Sequence, residues 1–405
     1  MVDVFAPRDE RDVCDLVAQA AASGTPLEVA GFRTKRHVGR PINPGACVSL
    51  NAMSGVTLYE PSELVISALA GTPLGQIEAL LAANNQELAF EPADLARVVN
   101  KRPLGVSIGG VAATNASGPR RILRGAARDH MLGLRAVNGR GEAIKAGGRV
   151  MKNVAGVDLV RGLAGSWGTL GVFTEVTMKV LPRAEETRTL IFINLPDEAA
   201  TGLMCAAMGT PYEVSGAIHL QAPLARRIAD QDLAALGYAI TALRLEAFSA
   251  SMPRRLDALR RELSAFGEIY ELDHPRSLAF WADIKSMEHL ASAWPLWRIT
   301  VSPDKAAPLV AAISAIIECR AAFDWSGGLI WLEAPPSMDA NAADLRRVIG
   351  QFGADAMLVR AEPHVRASVE VFHPPPEANM RLIRGLKKAF DPHGVLNPGR
   401  MYAGV

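Results

Sequence analysis

The run Ser107-Ile108-Gly109-Gly110-Val111-Ala112-Ala113-Thr114-Asn115-Ala116-Ser117-Gly118-Pro119 constrains this chain more than any other feature. Almost every position in it holds a small residue. Side chains this short bury too little apolar surface to build a core of their own. Adjacent glycines let the backbone come within contact distance of whatever lies opposite, because no Cβ intervenes. Two readings follow: a seat for a flat or charged ligand, or a helix packed tightly on a strand. Under either, the large side chains of the core must come from elsewhere in the chain.

Two further turns share this chemistry. Ala30-Gly31-Phe32-Arg33-Thr34-Lys35 follows directly on an apolar strand candidate at residues 26–30. Glycine there lets backbone N–H groups point at an anion, and Thr34 adds a hydroxyl donor. The turn is neither a Walker loop nor a G-x-G-x-x-G fingerprint. It fits an ordinary strand-to-turn junction as well as a phosphate seat. Gly165-Ser166-Trp167-Gly168-Thr169-Leu170-Gly171-Val172-Phe173-Thr174-Glu175 leads into another strand candidate.

The pattern around these turns divides the chain. Residues 9–22 place Val13, Leu16, Val17 and Ala20 on one helical face. Residues 64–69 read as a strand ending at Gly71-Thr72-Pro73, and residues 74–83 as a helix with Pro73 suited to its first turn. Residues 132–138 and 142–145 flank Gly139-Arg140-Gly141, a hairpin signal. Glycine thins out after Gly171, and Pro182 follows a strand-like run at 172–181, so a domain boundary is expected near 182–188. Beyond it, strand candidates at 188–195, 213–220, 238–248, 329–333 and 354–361 alternate with amphipathic helices. Met252, Leu256, Leu259, Leu263 and Phe266 form one apolar helical stripe; Leu309, Ile313, Ile316 and Ile317 form another. This order predicts an α+β domain with helices on one face of its sheet.

The bulk numbers narrow the function classes. A chain of 405 residues suits two domains. Its 43 basic and 42 acidic residues nearly cancel, which argues against a nucleic-acid partner. Cys14, Cys47, Cys205 and Cys319 are isolated in sequence and read as buried reduced thiols, so no metal or iron–sulfur cluster is expected on this chain. Residues 1–11 carry Asp3, Arg8, Asp9 and Glu10, with no apolar leader pattern, and no run of about eighteen apolar residues occurs. The expected compartment is the cytoplasm, with membrane contact only peripheral and through partners.

Taken in order, the turns resemble the FAD-binding fold of the vanillyl-alcohol oxidase and p-cresol methylhydroxylase superfamily, and more narrowly the E-subunit family of bacterial glycolate oxidases. The most specific pieces are Ser117-Gly118-Pro119-Arg120-Arg121, Val150-Met151-Lys152-Asn153-Val154-Ala155-Gly156, Gly168-Thr169-Leu170-Gly171-Val172, and the tail Asp391-Pro392-His393-Gly394-Val395-Leu396-Asn397-Pro398-Gly399-Arg400-Met401-Tyr402. The resemblance implies an α+β fold: a two-subdomain FAD-binding domain over 1–183, then an α+β cap with a mainly antiparallel sheet over 184–405. The tail, from about residue 390, returns to the flavin. By the same resemblance, Gly31, Phe32, Arg33, Thr34 and Lys35 hold the FAD pyrophosphate, and Gly71, Thr72 and Pro73 line the cofactor from a second side. Ser107, Ile108, Gly109, Gly110, Ala113, Thr114, Ser117 and Gly118 approach pyrophosphate, ribityl and flavin ring. Gly171 and Val172 touch the adenine side or the flavin backbone region, and Asn397 brings the tail toward the isoalloxazine. Some relatives attach FAD through a histidine in the first turn; none stands here, so non-covalent binding is expected. Where Val157 stands, the family usually has a tyrosine.

The implied role is an FAD-binding subunit of a glycolate oxidase complex. It would work beside a homologous FAD-binding catalytic subunit and an iron–sulfur subunit on a small 2-hydroxy acid. The alternatives are a self-sufficient FAD-dependent 2-hydroxy-acid dehydrogenase, or an electron-relay or assembly subunit. Catalytic residues stay unassigned. Arg298, sheltered by Trp294 and Trp297, is a candidate carboxylate clamp; Arg360, His364, Glu370 and His373 read as polar residues on a strand pair. The histidine-rich H-x-G-D-G-N-x-H motif of the family's catalytic subunits is absent, so its ligands are not carried over. His393 reads as a turn cap ahead of an active-site residue, and Arg120, Arg121, Arg124 and Arg128 as a solvated basic face, an acidic-partner surface or a source of pyrophosphate charge.

Overall fold

The computed structural model describes residues 2–100, 105–149 and 157–405. The motif at 150–156 therefore lies outside the described residues. The first half builds two main sheets. Strands Asp3–Phe5 and Leu27–Ala30 flank Ala46–Ser49 in a parallel sheet. Helix Glu10–Ser23 crosses over between the two outer strands. Asp9 starts that helix by accepting from the Asp12 amide, and Gly24 ends it at φ 67°. Its buried Val13 and Val17 share a core with Leu27 and Val48.

The second sheet is antiparallel, ordered Val56–Glu60, Val65–Leu69, Val172–Lys179, Met131–Val137, Ala143–Gly147. The last two strands are the expected hairpin. Helix Leu74–Ala82 follows the first two, with Pro73 as its N-cap, one place before the first turn that sequence favoured.

The small-residue run forms helix Ile108–Thr114, and its two glycines divide the two readings between them. Ser107 caps it, accepting from the Gly110 amide at 3.2 Å. A Cβ on Gly109 would sit 2.7 Å from the Ala70 carbonyl oxygen, so this glycine lets the helix press on the end of strand Val65–Leu69. A Cβ on Gly110 would instead meet Ser107 Oγ at 3.2 Å and Lys35 Nζ at 3.5 Å, on the open side of the helix.

The second half is one eight-stranded sheet, ordered Tyr270–Leu272, Glu186–Ile193, Ile240–Ala247, Val214–Leu220, Arg320–Asp324, Leu329–Glu333, Leu296–Thr300, Asp355–Arg360. All of its neighbours are antiparallel. Both faces are covered, which corrects the expectation of helices on one face. Leu190, Phe192, Leu243 and Leu245 pack with helices Asp197–Met208, Met252–Leu263, Ala306–Ser314 and Ala342–Phe352. Ile191, Ile240 and Ala242 point the other way, into a core with helix His274–Ser286 and with Ala93, Leu95 and Val98 of the first half. Of the expected strand pair, strand Asp355–Arg360 is present and ends at Arg360, but the run that carries Glu370 and His373 forms no strand, and residues 363–368 form a short helix.

Ion pairs join the halves. Arg120 binds Glu87 at 2.7 Å and also Glu246. Arg244, 1% exposed, gives both terminal nitrogens to Glu91 at 2.9 Å, with its Cζ 4.3 Å from the Trp281 ring centroid. Arg120 is thus part of a buried network, not of a solvated basic face. The cysteines also depart from expectation: all four are free, but only Cys47 is buried and Cys205 is exposed. No helix among the described residues is long and apolar enough to cross a membrane.

Candidate cofactor crevice and substrate chamber

Strand Leu27–Ala30 ends at the turn that begins with Gly31, and the chain there must reverse around the N-terminus of helix Ile108–Thr114. The approach is tight: a Cβ on Gly31 would lie 2.4 Å from Ser107 Oγ. Arg33 adopts φ 58° and pairs with the buried Glu28 at 2.7 Å. The result is an open crevice of about 790 Å³. Of the residues named from sequence, Gly31, Phe32, Arg33, Thr34, Lys35, Ser107, Gly109, Gly110, Ala113, Thr114, Gly171 and Asn397 line it.

The others lie behind it. Gly71 packs on the Leu50 carbonyl, which a Cβ would approach to 1.8 Å. Thr72 is buried and spends its hydroxyl on the turn, donating to the Leu69 carbonyl at 2.6 Å. Pro73 bridges to Ser107. Ile108 and Val172 are core residues, Gly118 packs on the Glu91 carbonyl, and Ser117 faces a second cavity. Sequence reasoning missed Glu28, Val29, Leu50, Ala70, Trp167, Gly168, Phe173 and Arg400, all of which line the crevice. Trp167, Gly168, Phe173 and Arg400 stood inside the quoted runs; Val29, Leu50 and Ala70 looked like any core residue.

The crevice is electropositive. Burial lowers the Lys35 amine to about 8, with Asp94 pulling it back up. No hydrogen bond or ion pair ends on Lys35 Nζ among the described residues. Burial also lowers Arg400 to about 10, against the pull of Glu28, and its guanidinium donates to the Lys35 carbonyl at 2.5 Å. Arg33 shares Glu28 with Arg36, but Lys35 and Arg400 pair with no carboxylate among the described residues, and glycine backbone beside such cations suits a diphosphate.

The tail closes one wall. Leu396 bridges in parallel to Leu27, so the tail adds to the edge of the three-stranded sheet. Asn397, at φ 41°, accepts from the Val29 amide at 2.9 Å and donates to the Trp167 carbonyl at 2.8 Å. Buried Lys387 donates to the Thr169 and Leu396 carbonyls at 2.9 and 2.8 Å and pairs with Asp391 at 2.8 Å. His393 is exposed and makes no side-chain hydrogen bond among the described residues, contrary to its reading as a turn cap.

At Thr114 and Trp167 the crevice meets a wider chamber of about 2030 Å³ between the two halves. One wall is the eight-stranded sheet, where register puts Trp331, Arg298 and Met357 in one row across three strands. His373 lines it too, but its Nδ1 accepts from the Ala356 amide and its Nε2 lies 3.3 Å from Asp355 Oδ1. Both ring nitrogens are therefore engaged, a poor arrangement for a general base. Arg360 is spent on carbonyls of Trp294, Val98 and Leu290 and on Glu333, so its role is structural. His364 and Glu370 are exposed and do not line the chamber.

A family model described as an FAD binding domain matches residues 3–147. The chain is 32% identical over 389 residues to the glycolate oxidase subunit GlcE of Escherichia coli K12, covering 96% of this chain and 95% of that protein. It is 28% identical over 189 residues to the glycolate oxidase subunit GlcD of Bacillus subtilis 168, or 46% of this chain and 38% of that one. The solved structure of 4-ethylphenol oxidase from Gulosibacter chungangensis superposes with a TM-score of 0.71 at 15% identity, over 99% of this chain and 89% of that one, a likeness of fold. By its match along nearly the whole of both chains to the Escherichia coli protein, the chain belongs to the GlcE family of FAD-linked oxidoreductases.

Proposed function

We propose that this chain is the FAD-binding subunit of a glycolate oxidase complex that converts glycolate to glyoxylate and passes electrons to an iron–sulfur partner. The observation that carries the reading is the electropositive glycine crevice opening at Thr114 and Trp167 into the chamber. On this reading, residues 1–183 form the FAD-binding domain and 184–405 the cap with its returning tail. Gly31, Phe32, Arg33, Thr34 and Lys35 hold the diphosphate with Ser107 and Gly110. Ala113, Thr114 and Ser117 border the path toward the chamber, while Gly71, Thr72, Pro73, Ile108, Gly118 and Val172 support it from behind. Gly171 and Asn397 shape the opposite wall. Bound there, FAD supplies the acceptor for a hydride from the substrate carbon. The first turn holds no histidine and His37 lies outside the crevice lining, which supports non-covalent binding.

A cap packed flat on the first half would favour a relay subunit; the wide chamber favours one that admits substrate. The test is anaerobic addition of glycolate or D-lactate to the complex purified from its host. The visible flavin band of this chain should bleach, and a homologous flavoprotein and an iron–sulfur protein should copurify. A colourless chain that cannot be reconstituted with FAD, or a flavin that no 2-hydroxy acid reduces, overturns the proposal.

A further inference from the structure

Several buried or half-buried arginines in this protein bind carboxylates, Arg120, Arg244 and Arg360 among them. Two that face the chamber do not. Arg121 and Arg298 line the chamber, and neither side chain has a hydrogen bond or ion pair among the described residues. Their shared neighbour is an aromatic ring: the Cζ of Arg121 lies 4.4 Å and that of Arg298 5.3 Å from the Trp325 centroid. Arg121 comes from the first half and Arg298 from the sheet of the second, so the fold brings two cations together from opposite walls.

Trp325 is held for this. It joins strands Arg320–Asp324 and Leu329–Glu333, and it and Ser326 have φ 52° and 60°. Consecutive non-glycine residues in the left-handed region cost free energy and persist only where the surroundings impose them. Here Asp324 accepts from the Trp325 amide at 2.7 Å, and the indole nitrogen donates to the Gly118 carbonyl across the interface at 3.0 Å. Burial and the nearby Arg121 lower Arg298 to about 10, with Asp324 opposing them. The Asp324 carboxyl, which burial raises to about 7, lies outside the chamber lining and leaves the donors facing the chamber unspent. Two like charges with free donors at one ring are relieved by an anion, and the planar fork of arginine matches a carboxylate.

We infer that Arg121 and Arg298, gathered on Trp325, form the subsite that takes the carboxylate of a small acid in the chamber. The inference rests on the reading of the chain as a 2-hydroxy-acid oxidoreductase, and its test separates the two. Oxalate, an acid with no hydrogen for a flavin to remove, is titrated into the full-length FAD-loaded chain and followed by tryptophan fluorescence. Arg121→Gln and Arg298→Gln should each weaken oxalate by about ten-fold or more, Arg298→Lys by less, with FAD content unchanged. Ethylene glycol, the uncharged analogue of glycolate, should not bind. In the unmutated chain, oxalate should protect the Arg121 and Arg298 peptides from phenylglyoxal, a readout that does not depend on whether a variant folds. Equal labelling with and without oxalate, or unchanged affinity in the folded variants, overturns the subsite even if glycolate still bleaches the flavin. Protection in a chain that never takes up flavin would sink the oxidoreductase reading instead and leave the anion site standing.

Discussion

Lys35 is where the electrostatics of the crevice become measurable. Its amine titrates at about 8 because burial disfavours the charged form. A diphosphate beside it reverses that preference, so the bound state holds the proton to higher pH. The sign follows: well below pH 8 the amine is charged in both states and FAD affinity is flat. As pH rises through about 8, the free protein loses the proton first and affinity falls. Equilibrium titration of the apo chain with FAD at a series of pH values checks this. Lys35→Met should bind about ten-fold more weakly at neutral pH and lose the alkaline decline; an unchanged profile would remove Lys35 from the site. The turn that carries Lys35 was legible in sequence because a glycine placed directly after an apolar strand is a local signal. Glu28, Val29 and Phe173 were not, since nothing in a strand's own sequence says which of its ends meets a cavity.

Among elements, the returning tail depends on a few buried polar bonds. Asn397→Ala would leave the Val29 amide and the Trp167 carbonyl without partners, at a cost of about 1–3 kcal/mol. Asn397→Asp should cost more, because it turns an acceptor toward the Trp167 carbonyl at a site 4% exposed. Urea unfolding of the two variants gives both numbers, and a milder Asp variant would show that the tail is held some other way. Which elements sequence revealed follows from packing. The stripe Met252, Leu256, Leu259 and Leu263 was plain because one face of its helix is buried and the other wet. Strand Arg320–Asp324 was missed: it is covered on both faces, so alternation disappears, and its two alanines suit a helix as well as a strand. The run with Glu370 and His373 erred the other way: read as a strand, it follows instead a short helix, Pro363–Ser368, whose buried Arg366 bonds the Ala361 and Gly39 carbonyls.

At the scale of the molecule, the two halves are joined by buried charges, whose pairing no local pattern could show. Glu87 and Glu91 stand more than a hundred residues from Arg244 and Glu246 in sequence. Arg244→Met would strand Glu91 in the interface and is expected to cost about 3–5 kcal/mol, read as a lowered thermal midpoint. The same network gives an acid dependence. Burial pushes the Glu246 carboxyl up, but Arg244 and Arg120 outweigh it and hold it at about 2, below the ordinary 4.5. A depressed carboxyl stabilises the fold fully above the ordinary value, and that contribution is lost as pH falls toward 2. Glu246→Gln should therefore flatten the loss of stability across that window, and an unchanged acid profile would place the sensitivity elsewhere. The tail carries a different consequence, one of time. Asn397 bonds Val29, its partner 368 residues earlier, and Arg400 reaches back to Lys35. A growing chain folds its early segments first, yet here the turn at Gly31 waits for Asn397 and Arg400, far later in the sequence, before its wall is complete. On the proposed reading, cofactor loading then waits for the tail, and a chain cut short between Gly171 and Asn397 has every glycine of the crevice but lacks the wall that Asn397 and Arg400 supply.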